Sequence, residues 1–170
     1  MGGVMIWKVL WDYHRKIENS LLRYEKGEAQ LLAAILGEME IYCAVEEEVV
    51  YPGVAGAVGE AQLDALQTSL DKIKDLAVDI ENLEPGDPAE AKLVKRLQRL
   101  WGLHTSREEA QLFPVIKTRL RDEQYVMARQ AFACRQELVA ARGGVAPPGQ
   151  YFIGLPTGGW TKQLVVGGGW

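Results

Sequence analysis

Closely spaced cysteines are missing from this chain. Cys43 and Cys134 are its two cysteines and lie far apart, so no thiolate pair of metal-binding spacing exists. Both are expected as reduced, buried thiols of a cytoplasmic protein. Long hydrophobic runs are missing as well. The apolar stretch from Val4 to Trp11 is interrupted by Lys8, and neither a basic leader nor a small-residue cleavage site accompanies it. No signal peptide and no membrane span are therefore expected. Gly2 follows Met1 as at a myristoylation start, but Ile6 stands where Ser or Thr is required. Basic runs and basic residues interleaved with aromatics are also absent. With 19 Lys plus Arg against 23 Asp plus Glu, the formal charge is -4, which argues against nucleic acid or an anionic membrane as a partner. Histidine is scarce: His14 and His104 are the only two.

What is present suits one folded domain with a tail. Hydrophobic residues make up 48% of the 170 and charged residues 25%, proportions of an ordinary globular protein. Apolar positions recur at helical spacing through most of the chain. A first helix over Val4 to Lys26 carries the stripe Trp7, Leu10, His14, Ile17, Leu21 and is broken by Gly27. A second, Ala29 to Val50, has the seam Leu32, Ile35, Met39, Tyr42, Glu46, Val49 and is expected to end at Tyr51-Pro52-Gly53. A third, Glu60 to Asn82, buries Leu63, Leu66, Leu70, Ile73, Ala77 and Ile80, with Glu60 in its first turn. Asp87 and Pro88 then cap and open a fourth helix. It runs to Leu120 with an interruption at Phe113-Pro114 and the stripe Leu93, Leu97, Leu100, His104, Glu108, Leu112. A fifth, Glu123 to Ala141, has the irregular apolar set Val126, Phe132, Cys134, Leu138 and is expected to lie across the bundle. From Gly143 the composition turns to Gly and Pro with Tyr151, Phe152, Trp160 and Trp170, the make-up of a flexible tail or of a docking arm.

The expected fold is all-α: an antiparallel four-helix bundle over residues 1–142 with an extra C-terminal helix, then the Gly/Pro-rich arm 143–170. Its centre is polar. His14, Glu46, Glu60 and the pair His104 and Glu108 fall on or beside inward faces, and the last two stand one helical turn apart. Inward Glu and His side chains are how bundles assemble di-iron and di-manganese sites. A closed network of His–Glu hydrogen bonds, with Tyr42 satisfied by a carboxylate, is the metal-free alternative. Two or more buried carboxylates against two histidines are costly without added positive charge, which favours a cation. Imidazole and carboxylate donors suit Fe, and also Mn or Zn.

Ordered motifs support this centre. Asp12-Tyr13-His14-Arg15 is similar to the D-H-R motif of the hemerythrin-like, or HHE cation-binding, family. Glu46-Glu47-Glu48-Val49-Val50-Tyr51-Pro52 is similar to its E-E-E-x-x-Y-P ending of the second helix. His104-Thr105-Ser106-Arg107-Glu108-Glu109 with Leu112-Phe113-Pro114 resembles its H-x-x-x-E-E and L-F-P. The resemblance spans residues 4 to about 140 and implies a di-iron centre. On it, His14 and His104 are terminal nitrogen ligands, Glu46 and Glu108 bridging carboxylates, and Glu60 a terminal oxygen ligand. Tyr42 stands where the family has a second-helix histidine, and would be a ligand or a proton or electron donor. Glu60 replaces the third-helix histidine, and Leu103 another on the fourth. The implied chemistry is that of O2, NO or another small redox ligand, tilted by carboxylates toward oxidase-like or sensing behaviour rather than oxygen carriage. A metal-free bundle retained as a structural or interaction module is the other expectation, with self-association through the arm.

Overall fold

The computed structural model describes residues 3–141. The arm 143–170 therefore lies outside the described residues. Nine helical segments follow one another, and no strand occurs among the described residues: α1 (Ile6–Glu25), a 3-10 turn (Ala29–Leu31), α2 (Leu32–Val45), a π turn (Glu46–Val50), α3 (Tyr51–Val54), α4 (Glu60–Glu81), α5 (Glu90–Gln111), α6 (Phe113–Arg119) and α7 (Glu123–Ala141).

Local chemistry sets the ends. Gly27 adopts φ +109°, and the bonds Glu28 N–H to Arg23 O and Gly27 N–H to Tyr24 O close α1 in the glycine-dependent way helices commonly stop. Ahead of α5, the Asp87 carboxylate accepts from the Ala89 amide at 2.8 Å, satisfying a donor the helix leaves orphaned. Leu112 separates α5 from α6, and Pro114 stands in the first turn of α6, where its missing N–H costs nothing.

Pro52 does not end the second helix as expected. The chain continues helically to Val54. Helix α2 widens into the π turn first, so Pro52 arrives in the opening turn of α3 instead of the interior of a continuous α-helix.

Helices α1, α2, α4 and α5 pack as a closed ring, α1 on α2 and α5, and α4 on α2 and α5, which with short connections is an antiparallel bundle. Helix α7 packs along α1 and α2 rather than across the bundle. Gly3 lies against Tyr125, and ten residues further along both segments Arg135 donates to the Tyr13 hydroxyl. Helix α2 is consequently covered on two sides. Every residue from Ala34 to Val45 is buried, so the single inward seam expected for it understates its burial.

Two other faces differ from the sequence expectation. In α5 the buried positions are Val94, Leu97, Trp101, His104, Thr105 and Glu108. Leu93 and Leu100 are only partly buried at its flank, because Trp101 fills the interior. In α7 the face toward the bundle is Gln124, Met127, Ala128, Ala131, Cys134 and Leu138, with Val126 and Phe132 exposed. Small residues allow α7 close to α3: a Cβ on Gly53 would collide with the Met127 side chain.

Both cysteines are free and buried. No described helix is long and apolar enough to cross a membrane.

Candidate metal centre

Four of the five expected ligands meet in the bundle interior. His14, Glu46, His104 and Glu108 are each at most 1% exposed, and they come from α1, the π turn and α5. Periodicity explains His14, His104 and Glu108, which occupy core positions of long regular helices. Glu46 opens the π turn. Glu60 stands apart, exposed in the first turn of α4, where a carboxylate complements the positive helix end. Leu103 is 68% exposed, so the replacement there does not touch the cluster.

Glu108 is the hub. Its Oε2 accepts a hydrogen bond from the Tyr42 hydroxyl and lies 3.1 Å from His14 Nε2. Its Oε1 accepts from the Tyr51 hydroxyl at 3.4 Å and lies 3.2 Å from His104 Nε2. The remaining nitrogens point outward. His14 Nδ1 lies 2.8 Å from Glu109 Oε1, and His104 Nδ1 lies 3.1 Å from Ser69 Oγ. An aromatic wall encloses the cluster: Phe113 stacks on the His14 ring with centroids 5.6 Å apart, and Trp101 meets the Tyr42 ring at 4.8 Å.

The two carboxylates are driven apart electrostatically. Burial, reinforced by the charge of Glu108, pushes Glu46 well above the ordinary carboxylate range. Burial acts upward on Glu108 too, but the His104 imidazole and hydrogen bonds including that from His14 outweigh it and hold Glu108 well below that range. Burial first, then the neighbouring carboxylates, raise both Tyr42 and Tyr51. Both phenols are thus held protonated and donating.

Sequence reasoning missed Tyr51, Ser69 and Glu109. The signal for Tyr51 was its spacing from Glu46: the π turn bonds the Tyr51 N–H to the Glu46 carbonyl and so brings residues five apart onto one side. Glu109 was visible as the second acid of the Glu-Glu pair. Ser69 carries no signal of its own among the polar residues of α4.

Does this set fit a cation? Both oxygens of Glu46 are buried with no hydrogen-bond partner, and the partner of His104 Nε2 is Glu108 Oε1 at 3.2 Å. Two carboxylates in one interior are costly to charge together without a counter-charge, and carboxylate with imidazole suits a transition metal. They fit in kind. In placement they do not yet form a site: among the described residues no three or more His, Cys, Asp or Glu side chains are set to hold a metal ion. The oxygens of Glu108 are engaged by Tyr42, His14 and Tyr51.

A cavity of about 260 Å³ lies elsewhere, between α1, α2 and α7, floored by Glu38 and Arg135 and walled by Tyr13. None of the four clustered residues lines it.

A helical bundle enclosing a histidine and carboxylate cluster is the architecture of bundle metalloproteins. The chain matches the hemerythrin HHE cation binding domain over residues 5–116, and it belongs to that family. It is also 27% identical over 110 residues to a protein named DNA nickase from Nostoc sp. (strain PCC 7120), a match covering 65% of this chain. The matched stretch spans only 31% of that relative. No solved structure matches the chain.

Proposed function

We propose that the buried cluster is a carboxylate-rich metal centre, best suited to two irons, that serves oxygen, nitric oxide or redox sensing or an oxidase-like reaction. One observation carries the reading: Glu46 is fully buried with both oxygens unpartnered, beside a Glu108 that is held anionic, and a cation would let both carboxylates be charged. In this reading Glu46 and Glu108 would supply oxygen donors to the metal, and His14 and His104 nitrogen donors. Glu60, exposed at the helix end, is left out. Iron would supply one-electron chemistry and a position for a diatomic ligand. The chain's own residues do the rest. Tyr42 and Tyr51 hold protons toward Glu108, while Trp101 and Phe113 exclude bulk water. Mn or Zn would use the same donors.

A second reading has its own observation. Tyr42, His14 and Tyr51 already engage Glu108, as a metal-free bundle kept for structure or protein interaction would require. The DNA in the name of the Nostoc relative is not part of either reading, given the 31% coverage and the formal charge of -4.

Elemental analysis of full-length protein purified without chelator, with an absorption spectrum before and after anaerobic ferrous iron, separates the two. Two irons per chain with a visible charge-transfer band are expected. Absence of any transition metal after that treatment would leave the metal-free reading.

A further inference from the structure

Two motif residues remain unused by that reading, and the structure joins them. Arg15 follows His14, and Glu109 follows Glu108. Glu109 Oε1 lies 2.8 Å from His14 Nδ1 and accepts from Arg15 Nη2 at 2.6 Å. Arg15 also donates to Glu18 at 2.8 Å, one turn further along α1. The His14 side chain is 1% exposed, that of Glu109 28% and that of Arg15 39%. The three therefore form a strut from the interior to the surface.

The strut decides which nitrogen faces the cluster. An imidazole offers two, and the partner of one fixes the role of the other. With Nδ1 directed at Glu109, Nε2 is the atom turned toward Tyr42 at 3.2 Å and Glu108 at 3.1 Å. Phe113, stacked on the ring at an interplanar angle of 14°, holds the ring plane but does not distinguish a flipped ring. Of the two carboxylates the ring meets, Glu109 is the nearer, at 2.8 Å against 3.1 Å for Glu108, and it is the one fixed by Arg15.

We infer that Glu109 is the positioning residue for His14, clamped by Arg15, so that in the metal-loaded protein Nδ1–H donates to Glu109 and Nε2, in place of its contact with Glu108, is presented as the metal-binding atom. The inference rests on the metal reading of His14. Carboxylates that orient ligating histidines in this manner tune affinity without touching the ion.

Zinc is the probe, being diamagnetic and accepting the same donors. Full-length wild type and the variants Glu109→Ala, Glu109→Gln and His14→Ala are titrated with zinc against a competing chelator. The two imidazole rings are followed by nitrogen-15 NMR in the loaded state, and thermal unfolding of the metal-free proteins is recorded alongside. Glu109→Ala is expected to weaken zinc binding by about 10–100-fold and to lose the uniform Nε2 coordination of His14. Glu109→Gln, which keeps an acceptor oxygen, is expected to restore most of both. Metal-free melting should stay near wild type for each Glu109 variant. Wild-type affinity and nitrogen assignment in Glu109→Ala, with His14→Ala impaired, would overturn the inference alone. Glu109→Gln as weak as Glu109→Ala would overturn it too, since charge rather than the hydrogen bond would then matter. If wild type takes up no zinc, or His14→Ala binds as wild type does, the metal reading of His14 falls and takes the inference with it.

Discussion

Tyr42 on α2 donates its hydroxyl hydrogen to Glu108 on α5, across the centre of the bundle. This bond stands where the family resemblance expects an imidazole on the second helix. It also lets a buried carboxylate stay anionic, since bonds donated to the charged form favour that form.

Replacing Tyr42 by Phe removes that donor and little else. Metal-free stability should fall by about 1.5–3 kcal/mol, the range for a hydrogen bond to a charged group, measured by urea unfolding with helicity unchanged. If the visible band of an iron-loaded sample arises from Tyr42, the same variant should lose it.

Glu46 should behave in the opposite sense. Its oxygens are buried and unpartnered, so Glu46→Met relieves a desolvation cost of about 1–3 kcal/mol. The metal-free protein should gain stability while metal uptake falls. A loss of stability without metal would show that Glu46 is satisfied in some other way.

The pair Glu38 and Arg135 ties α7 to α2, with contacts of 2.6 and 2.7 Å. Both side chains are mostly buried, 2% and 18% exposed. Arg135→Met should cost about 3–5 kcal/mol because it strands a buried carboxylate, whereas Arg135→Met with Glu38→Leu should return close to wild type. Burial raises the Glu38 pKa above 4.5 despite Arg135. A raised acid stabilises the fold fully below its unfolded value and loses that contribution as pH climbs through the folded value. Wild-type stability relative to Glu38→Gln should therefore decline as pH rises from about 4.5. A relative stability that increases with pH would contradict the sign.

Leu103 is 68% exposed on the outer face of α5. Leu103→Lys should shift stability by no more than about 0.5 kcal/mol and leave metal uptake at its wild-type value. Impaired uptake would place this position nearer the centre than its exposure indicates.

Much of this protein is local in origin. The spacing of apolar residues in α1 and α4, the glycine stop at Gly27, the Asp87 cap and the bounds Glu123–Ala141 of α7 follow from short-range chemistry, which the sequence states directly. So does the inward placement of His14, His104 and Glu108 on helices with regular stripes. Tertiary structure decided the rest. Helix α7 lies along α1 and α2, so α2 is buried on two sides and its apolar pattern does not define one seam. Trp101 rather than Leu100 fills the interior, because neighbouring side chains decide which of two adjacent apolar residues is enclosed. The π turn recruits Tyr51 beside Glu46, and Glu109 reaches His14 from another helix. Periodicity assigns a residue to a face, but the partner of a buried polar group is chosen by whichever helix comes to rest against it.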